Sequence, residues 1–407
     1  MNLEKALRLE PLFSDTDSEE RFRQALEREV EDQDDNRDWL NEVVVGETAD
    51  QPVLVGRILA SLVTDRPVLI SSGEWGRRTR EALRRLREVP TPGGSVLIRT
   101  GGSSGDPKFA VHTWETLQNA ATALWRHLGR KPLSATLDLP LFHVSGWMPV
   151  VRALVSGGRV GMPGRESDPM PEGLRLASVV PTTLYRGLRN PTALSVLGQM
   201  DCVFAGGAAF SDELLQEARQ EKIRLSLVYG MTETAGMIAM QEPDAFLRGE
   251  PPAVLPLRGN SVRIGEGGEI QIQSAQLFTG YWGQETRENG FWPTGDSGQF
   301  DEVGRLTIHG RMGRFFSSGG ETVSLEKVET AARSLAGVTG AAAVAEADDE
   351  WGGRLVLFVE LSESEGRDVR KELKKILDPP EVPSDIRPVS IIPKTSAGKV
   401  DLERLLG

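Results

Sequence analysis

The chain has 407 residues, 39% of them hydrophobic and 26% charged, enough for two or three domains with a large buried core. Its single cysteine, Cys202, excludes an internal disulfide and a cysteine-built zinc site. A net charge of −12 argues against a general nucleic-acid binder.

Residues 15–38 concentrate the charge, with 11 acids against 4 arginines, and read as a solvated helix face and loop. No apolar run approaches the roughly 18 residues of a membrane span. The opening MNLEKALRLEPLF lacks a signal-peptide core, so a soluble cytoplasmic protein is expected. Residues 1–90 mix helical periodicity with loops: Phe22, Leu26 and Val30 recur at helical spacing, as do Ala82, Leu83 and Leu86.

From residue 95 a strand–helix alternation begins. Ser95–Arg99 reads as a buried strand, followed by a Gly-rich turn and a helix near Trp114–Leu128. Strands follow at Thr136–Leu139, Leu176–Val180, Val203–Ala205 and Leu225–Tyr229. Helices fall near Met148–Leu154, from Pro181, and near Asp212–Gln220. This pattern predicts parallel strands joined by crossover helices. After residue 258, short alternating segments such as Ser261–Ile264 and Glu269–Gln273 predict a small antiparallel β unit. Beyond the Gly/Ser-rich joint RMGRFFSSGG, the tail predicts a small α+β domain: helices near Leu325–Ser334 and Arg367–Leu377, strands at Ala341–Ala345 and Leu355–Leu361. The expected class is α/β, a large domain over 1–310 and a small mobile α+β domain over 311–407, hinged at 311–314.

Four segments carry chemistry. Thr100, Gly101, Gly102, Ser103, Ser104, Gly105 and Lys108, after a strand and before a helix, have the composition of a phosphate-cradling loop. Pro107 and Phe109 flank the lysine, so this is not a GxxxxGK[ST] loop; a plain flexible turn is the alternative. Val228–Thr234 ends a strand, where open α/β sheets place ligands. There Tyr229 can offer a flat face to a base, Thr232 can donate to phosphate, and Glu233 suits Mg2+. Gly295-Asp296, followed by Gly310-Arg311, can take ribose hydroxyls, although Thr-Gly-Asp is also a common turn. Lys399, in PKTSAGK, is a point charge on a Gly-bearing loop or an ordinary surface lysine.

TGGSSGDPK, FAGGAA, YGMTE, TGD, GRMGRFFSSGGE and PKTSAGK occur here in the order seen in the acyl-adenylate-forming superfamily, which the chain resembles over residues 100–399. PLFHVSG, SVVPT, FAVHTWETL and YGMTET look like the o-succinylbenzoate–CoA ligases, of the compact cyanobacterial type. The resemblance implies an enzyme that activates 2-succinylbenzoate with ATP and Mg2+ and transfers it to CoA, for menaquinone or phylloquinone synthesis. The related readings are another aryl- or acyl-CoA ligase, a carrier-loading adenylation enzyme, or a nucleotide-binding regulator.

The resemblance also implies roles. Thr100–Lys108 would wrap the β- and γ-phosphates; Gly206, Gly207 and Ala208 would lie along adenine, with Tyr229, Gly230 and Met231 across from them. Thr232 would touch the α-phosphate, Glu233 would hold Mg2+, and Asp296 and Arg311 would bind ribose. Lys399 would act in adenylation, and Gly319 and Gly320 would line the pantetheine tunnel. His143 would gate or contact the acyl group, with Ser145, Gly146 and Thr234 in its pocket; Arg152 and Arg186 are candidates for the aromatic carboxylate. Cys202 is expected to be structural. Where the family often has Asp or Lys at its hinge pivot, this chain has Gly313, then Arg314. The partners implied are a small carboxylic acid, ATP and CoA, on a monomer or homodimer.

Overall fold

A computed structural model describes residues 7, 11–31, 41–45, 50–73, 75, 77–100, 107–162, 173–207, 210–318, 321–346, 354–362, 368–377, 381–394 and 400–406. The fold is α/β, as the alternation predicts, and its parallel strands start earlier than expected. Asn41–Val45, Val68–Ser72 and Ser95–Arg99 run parallel, then Phe109–Thr113 and the short Gly280–Tyr281 add antiparallel at the edge. Val68–Ser72 is buried along its whole length. A strand buried on both faces lacks the period-2 signal of a half-exposed strand, so residues 1–90 look merely helical in sequence.

A second sheet of seven strands has the order Leu255–Pro256, Gly236–Met240, Leu225–Met231, Cys202–Ala205, Leu174–Val179, Leu133–Thr136, Val160–Gly161. The last five are parallel; Gly236–Met240 returns antiparallel to Leu225–Met231. Pairing with Leu174–Leu176 selects Leu133–Thr136 over the expected Thr136–Leu139, because alternating apolar residues through this stretch leave the register open. Helix Trp114–His127 sits between the sheets. It gives Leu117, Ala120 and Ala121 to the core under the first and Ala123 and Leu124 to the core under the second.

The setting of the Gly-rich segment is corrected. The Gly-rich segment does not run from strand to helix; it links Ser95–Arg99 to Phe109–Thr113 within an antiparallel hairpin. That strand is hard to read because it leads directly into a helix, with Thr113 as both its last residue and the N-cap, accepting from Thr116 N. Such a cap contributes about 1 kcal/mol. A helix at Pro191–Gly198, capped by Asn190, adds to the expected set.

Downstream, Ser261–Ile264, Glu269–Gln273, Trp292–Phe300 and Leu306–Arg311 form the antiparallel unit. Then come the hairpin Phe315–Ser318/Glu321–Ser324, helix Leu325–Arg333, and a sheet of Val338–Glu346, Arg354–Leu361 and Asp385–Val389. No helix among the described residues is long and apolar enough to cross a membrane.

Candidate active site

Side-chain hydrogen bonds link segments far apart in the chain. The Gly-rich loop is closed by Thr100 N donating to Lys108 O at 2.9 Å; Gly101, Gly102, Ser103, Ser104 and Gly105 lie outside the described residues, as do Ala208, Gly319, Gly320 and Lys399. Next to the loop, His112 on the hairpin strand is fully buried. Its Nε2 meets Thr232 O at 2.7 Å and its Nδ1 meets Thr116 Oγ1 at 3.0 Å. Burial pushes this imidazole down to about 4, so it is neutral near pH 7 and, with Nε2 donating to the carbonyl, fixes the start of the Thr232–Thr234 turn.

The turn is held from its other side by Tyr281. Its hydroxyl donates to Glu233 Oε1 at 2.7 Å, and Phe278 N donates to Glu233 O at 2.8 Å. Burial and then the Glu233 charge push the Tyr281 phenol up, keeping it protonated as the donor. Glu233 is 7% exposed, and its Oε2 accepts no hydrogen bond from the described residues. One carboxylate with a spare oxygen suits a hard cation that draws its other ligands from phosphate and water. No group of three or more His, Cys, Asp or Glu capable of holding a metal occurs among the described residues.

Tyr229 is 7% exposed, and its hydroxyl donates to Asp296 Oδ2 at 2.8 Å. Asp296 lies opposite Arg311 in the ladder, and Arg311 Nε approaches its Oδ1 at 3.2 Å. The structure thus joins the Tyr-Gly-Met-Thr-Glu, Thr-Gly-Asp and Gly-Arg segments. Gly206 and Gly207 follow the adjacent strand Cys202–Ala205; a Cβ on Gly206 would lie 2.7 Å from Val228 Cγ2. Gly230 is required by close approach, since a Cβ there would lie 2.0 Å from Gly236 O, and Met231 supplies the N–H that Thr234 Oγ1 accepts at 2.9 Å.

The acyl-pocket candidates Thr234, Gly146 and His143 each make local structural contacts. Thr234 is fully buried, and its hydroxyl is engaged with Met231 N, Met231 O and Gly236 O. It locks the turn. Gly146 is a packing glycine, its Cβ position 2.1 Å from Pro140 O. His143 is the N-cap residue of helix Val144–Ser156 and packs on Phe142, ring centroids 4.5 Å apart, with Ser145 in the first turn.

The same helix carries Arg152, 7% exposed, with its guanidinium 5.3 Å from the Phe204 ring centroid and no carboxylate partner among the described residues. Burial pushes it down to about 10, still cationic near neutral pH. A Cβ on Gly236, just past the Thr232–Thr234 turn, would lie 3.8 Å from its Nη2. Arg186, the other candidate, is exposed on helix Pro181–Leu188. Cys202 is buried and its thiol pushed up to about 12, chiefly by burial, which keeps it protonated and unreactive. Sequence reasoning missed His112 and Tyr281; their signal is spatial, since each pairs with a segment 120 or 48 residues away.

The chain is 34% identical over 279 residues to the 2-succinylbenzoate–CoA ligase of Salmonella typhimurium, a match covering 66% of this chain and 59% of that protein. A second such ligase, from Escherichia coli, is 35% identical over 276 residues, and the chain spans only 58% of its length. The fold matches o-succinylbenzoate coenzyme A synthetase (MenE) from Bacillus subtilis, solved in complex with ATP and magnesium ion, with a TM-score of 0.83 at 19% identity over 100% of this chain and 99% of that one. The model of the AMP-binding enzyme family matches residues 32–282, and that of the AMP-binding enzyme C-terminal domain matches residues 327–399. The loop, turn and carboxylate segments joined above therefore sit in a chain that belongs to the AMP-binding enzyme family.

Proposed function

We propose that the chain activates 2-succinylbenzoate with ATP and passes the acyl group to CoA, in menaquinone or phylloquinone synthesis in the cytoplasm. A carboxylate oxygen attacks the α-phosphorus and pyrophosphate leaves, giving the acyl-adenylate. The CoA thiol, losing its proton, then attacks the acyl carbon and AMP leaves. Both reactants of the first step are anionic, so the site must offset their repulsion. Lys108 and Lys399 would supply positive charge, Thr232 a hydroxyl for the α-phosphate, and Glu233 a ligand for Mg2+, which when bound neutralises phosphate charge. Asp296 and Arg311 would take the ribose, and Tyr229 would flank the base. We place the hinge at 311–314: Arg311 belongs to the antiparallel sheet, whereas Arg314 pairs with Glu329 and donates to Ala343 O at 3.1 Å.

One observation carries the choice of acid. Arg152 is a buried arginine without a carboxylate partner among the described residues. A buried cation of this kind is costly unless a counter-ion arrives, and a dicarboxylate brings one beyond the carboxylate that is activated. The names of the relatives favour the same acid. The test is ATP-dependent consumption of free CoA with 2-succinylbenzoate against plain benzoates, in the native chain and Arg152→Met. We expect kcat/KM for 2-succinylbenzoate to fall by about 100-fold in the variant, as when a buried charge loses its partner, while Lys399→Ala loses adenylation by about 10²–10³. Turnover confined to plain benzoates, or an unaffected Arg152→Met enzyme, refutes the assignment.

A further inference from the structure

We propose that Tyr281 is a positioning residue that separates Lys108 from Glu233 and keeps each available to the nucleotide; this deepens the ATP-dependent reading above and rests on it. The Tyr281 side chain contacts two groups of opposite charge. Its hydroxyl donates to Glu233 Oε1 at 2.7 Å, and Lys108 Nζ stands 4.8 Å from its ring centroid. Lys108 and Glu233 form no ion pair with each other. Had they closed on one another, each charge would be neutralised before a phosphate or a cation arrived. An aromatic ring prevents this cheaply, since its face attracts the ammonium and its hydroxyl attracts the carboxylate.

The placement follows from backbone register. Gly280–Tyr281 pairs antiparallel with the hairpin strand, Tyr281 opposite Ala110, which sets the ring beside the residue that ends the Gly-rich loop. Alternation along the strand turns the next residue, Trp282, the other way, into the core against Phe109 at 6.0 Å between ring centroids. The same segment holds Glu233 a second time, through Phe278 N. Glu233 is thereby fixed by main chain and side chain, with Oε2 accepting no hydrogen bond from the described residues.

Tyr281→Phe keeps the ring and removes the hydroxyl; Tyr281→Leu removes both. Nucleotide binding is measured calorimetrically without any acid, so a wrong acyl substrate leaves the result standing. We expect Tyr281→Phe to raise the Mg2+ concentration needed for half-maximal ATP binding by about tenfold, the usual scale for a hydrogen bond to a charged group. Its affinity for AMP without metal should not change, which shows that the fold is intact. In Tyr281→Leu, ATP affinity should also fall, and adding Lys108→Ala should cost nothing further, although Lys108→Ala alone should weaken ATP binding in the native chain. An unchanged Mg2+ requirement in Tyr281→Phe overturns the proposal whether or not Tyr281→Leu folds, and so does additivity of the Leu and Ala substitutions. A native chain that binds no ATP with Mg2+ overturns the underlying nucleotide reading, and this proposal with it.

Discussion

Tyr229 donates its hydroxyl to Asp296 Oδ2 at 2.8 Å, joining the seven-stranded sheet to the antiparallel unit through one buried hydrogen bond. Burial, and then the charge of Asp296, push the phenol up, so it remains a donor. Arg311 balances the carboxylate from the facing strand. Asp296→Ala leaves the phenol without its acceptor and Arg311 without its counter-ion. We expect a stability loss of about 1–3 kcal/mol in urea unfolding, with AMP affinity lowered at least tenfold by calorimetry on this scale. Tyr229→Phe removes the donor alone and should cost less in both measurements.

His112 gives the protein a pH signature. Its folded-state value of about 4 lies below the free value of 6.5, so the unfolded chain binds the extra proton between those limits. The stability tied to the neutral ring is complete above pH 6.5 and is lost as pH falls toward 4. The integrated contribution is about 3 kcal/mol. His112→Gln keeps a donor for Thr232 O and has no titration in that window. Chemical denaturation at pH 7 and pH 5 should show a smaller acid loss in the variant than in the native chain; equal losses contradict the assignment.

Arg152 sets stability against use. Without a bound acid its charge is buried against Phe204. Replacing a buried, poorly compensated ion by an apolar side chain of similar length is commonly neutral or stabilising by about 1–4 kcal/mol. Arg152→Met should therefore melt at or above the native temperature in calorimetry without ligand. A marked drop in melting temperature would show that the arginine has a structural counter-ion.

Gly310 and Glu326 are coupled. A Cβ on Gly310 would lie 1.6 Å from Glu326 Oε2, and the Glu326 carboxylate accepts from the backbone N–H of Arg311. Gly310→Ala must displace that carboxylate. In the double variant with Glu326→Ala the clash disappears, although the backbone at φ +126° still favours glycine. The double variant should be more stable than the sum of the two single losses by about 0.5–3 kcal/mol, read from a denaturation cycle.

The six motifs could be read from the chain because each packs its chemistry into a few neighbouring residues, and glycine content signals close backbone approach even without neighbours in view. The Gly-rich loop has the composition of a phosphate cradle, yet its setting in a hairpin was not legible, because Thr113 both ends the strand and caps the helix. Thr234 looked like a substrate contact from its place after Glu233; only the folded turn shows its hydroxyl already engaged. Arg152 and Arg186 are equivalent in sequence, and burial alone separates them.

By itself the order of residues determined the α/β class, the segments whose composition suits phosphate, ribose and metal, and the family those segments resemble. These are properties of short stretches and their sequence along the chain. Tertiary structure decided which group answers which: Tyr281 on both Lys108 and Glu233, His112 behind Thr232, Tyr229 and Arg311 on Asp296. Electrostatic and hydrogen-bonding partnerships act over a few ångströms of space, and strand pairing brings into that range residues that the sequence keeps far apart.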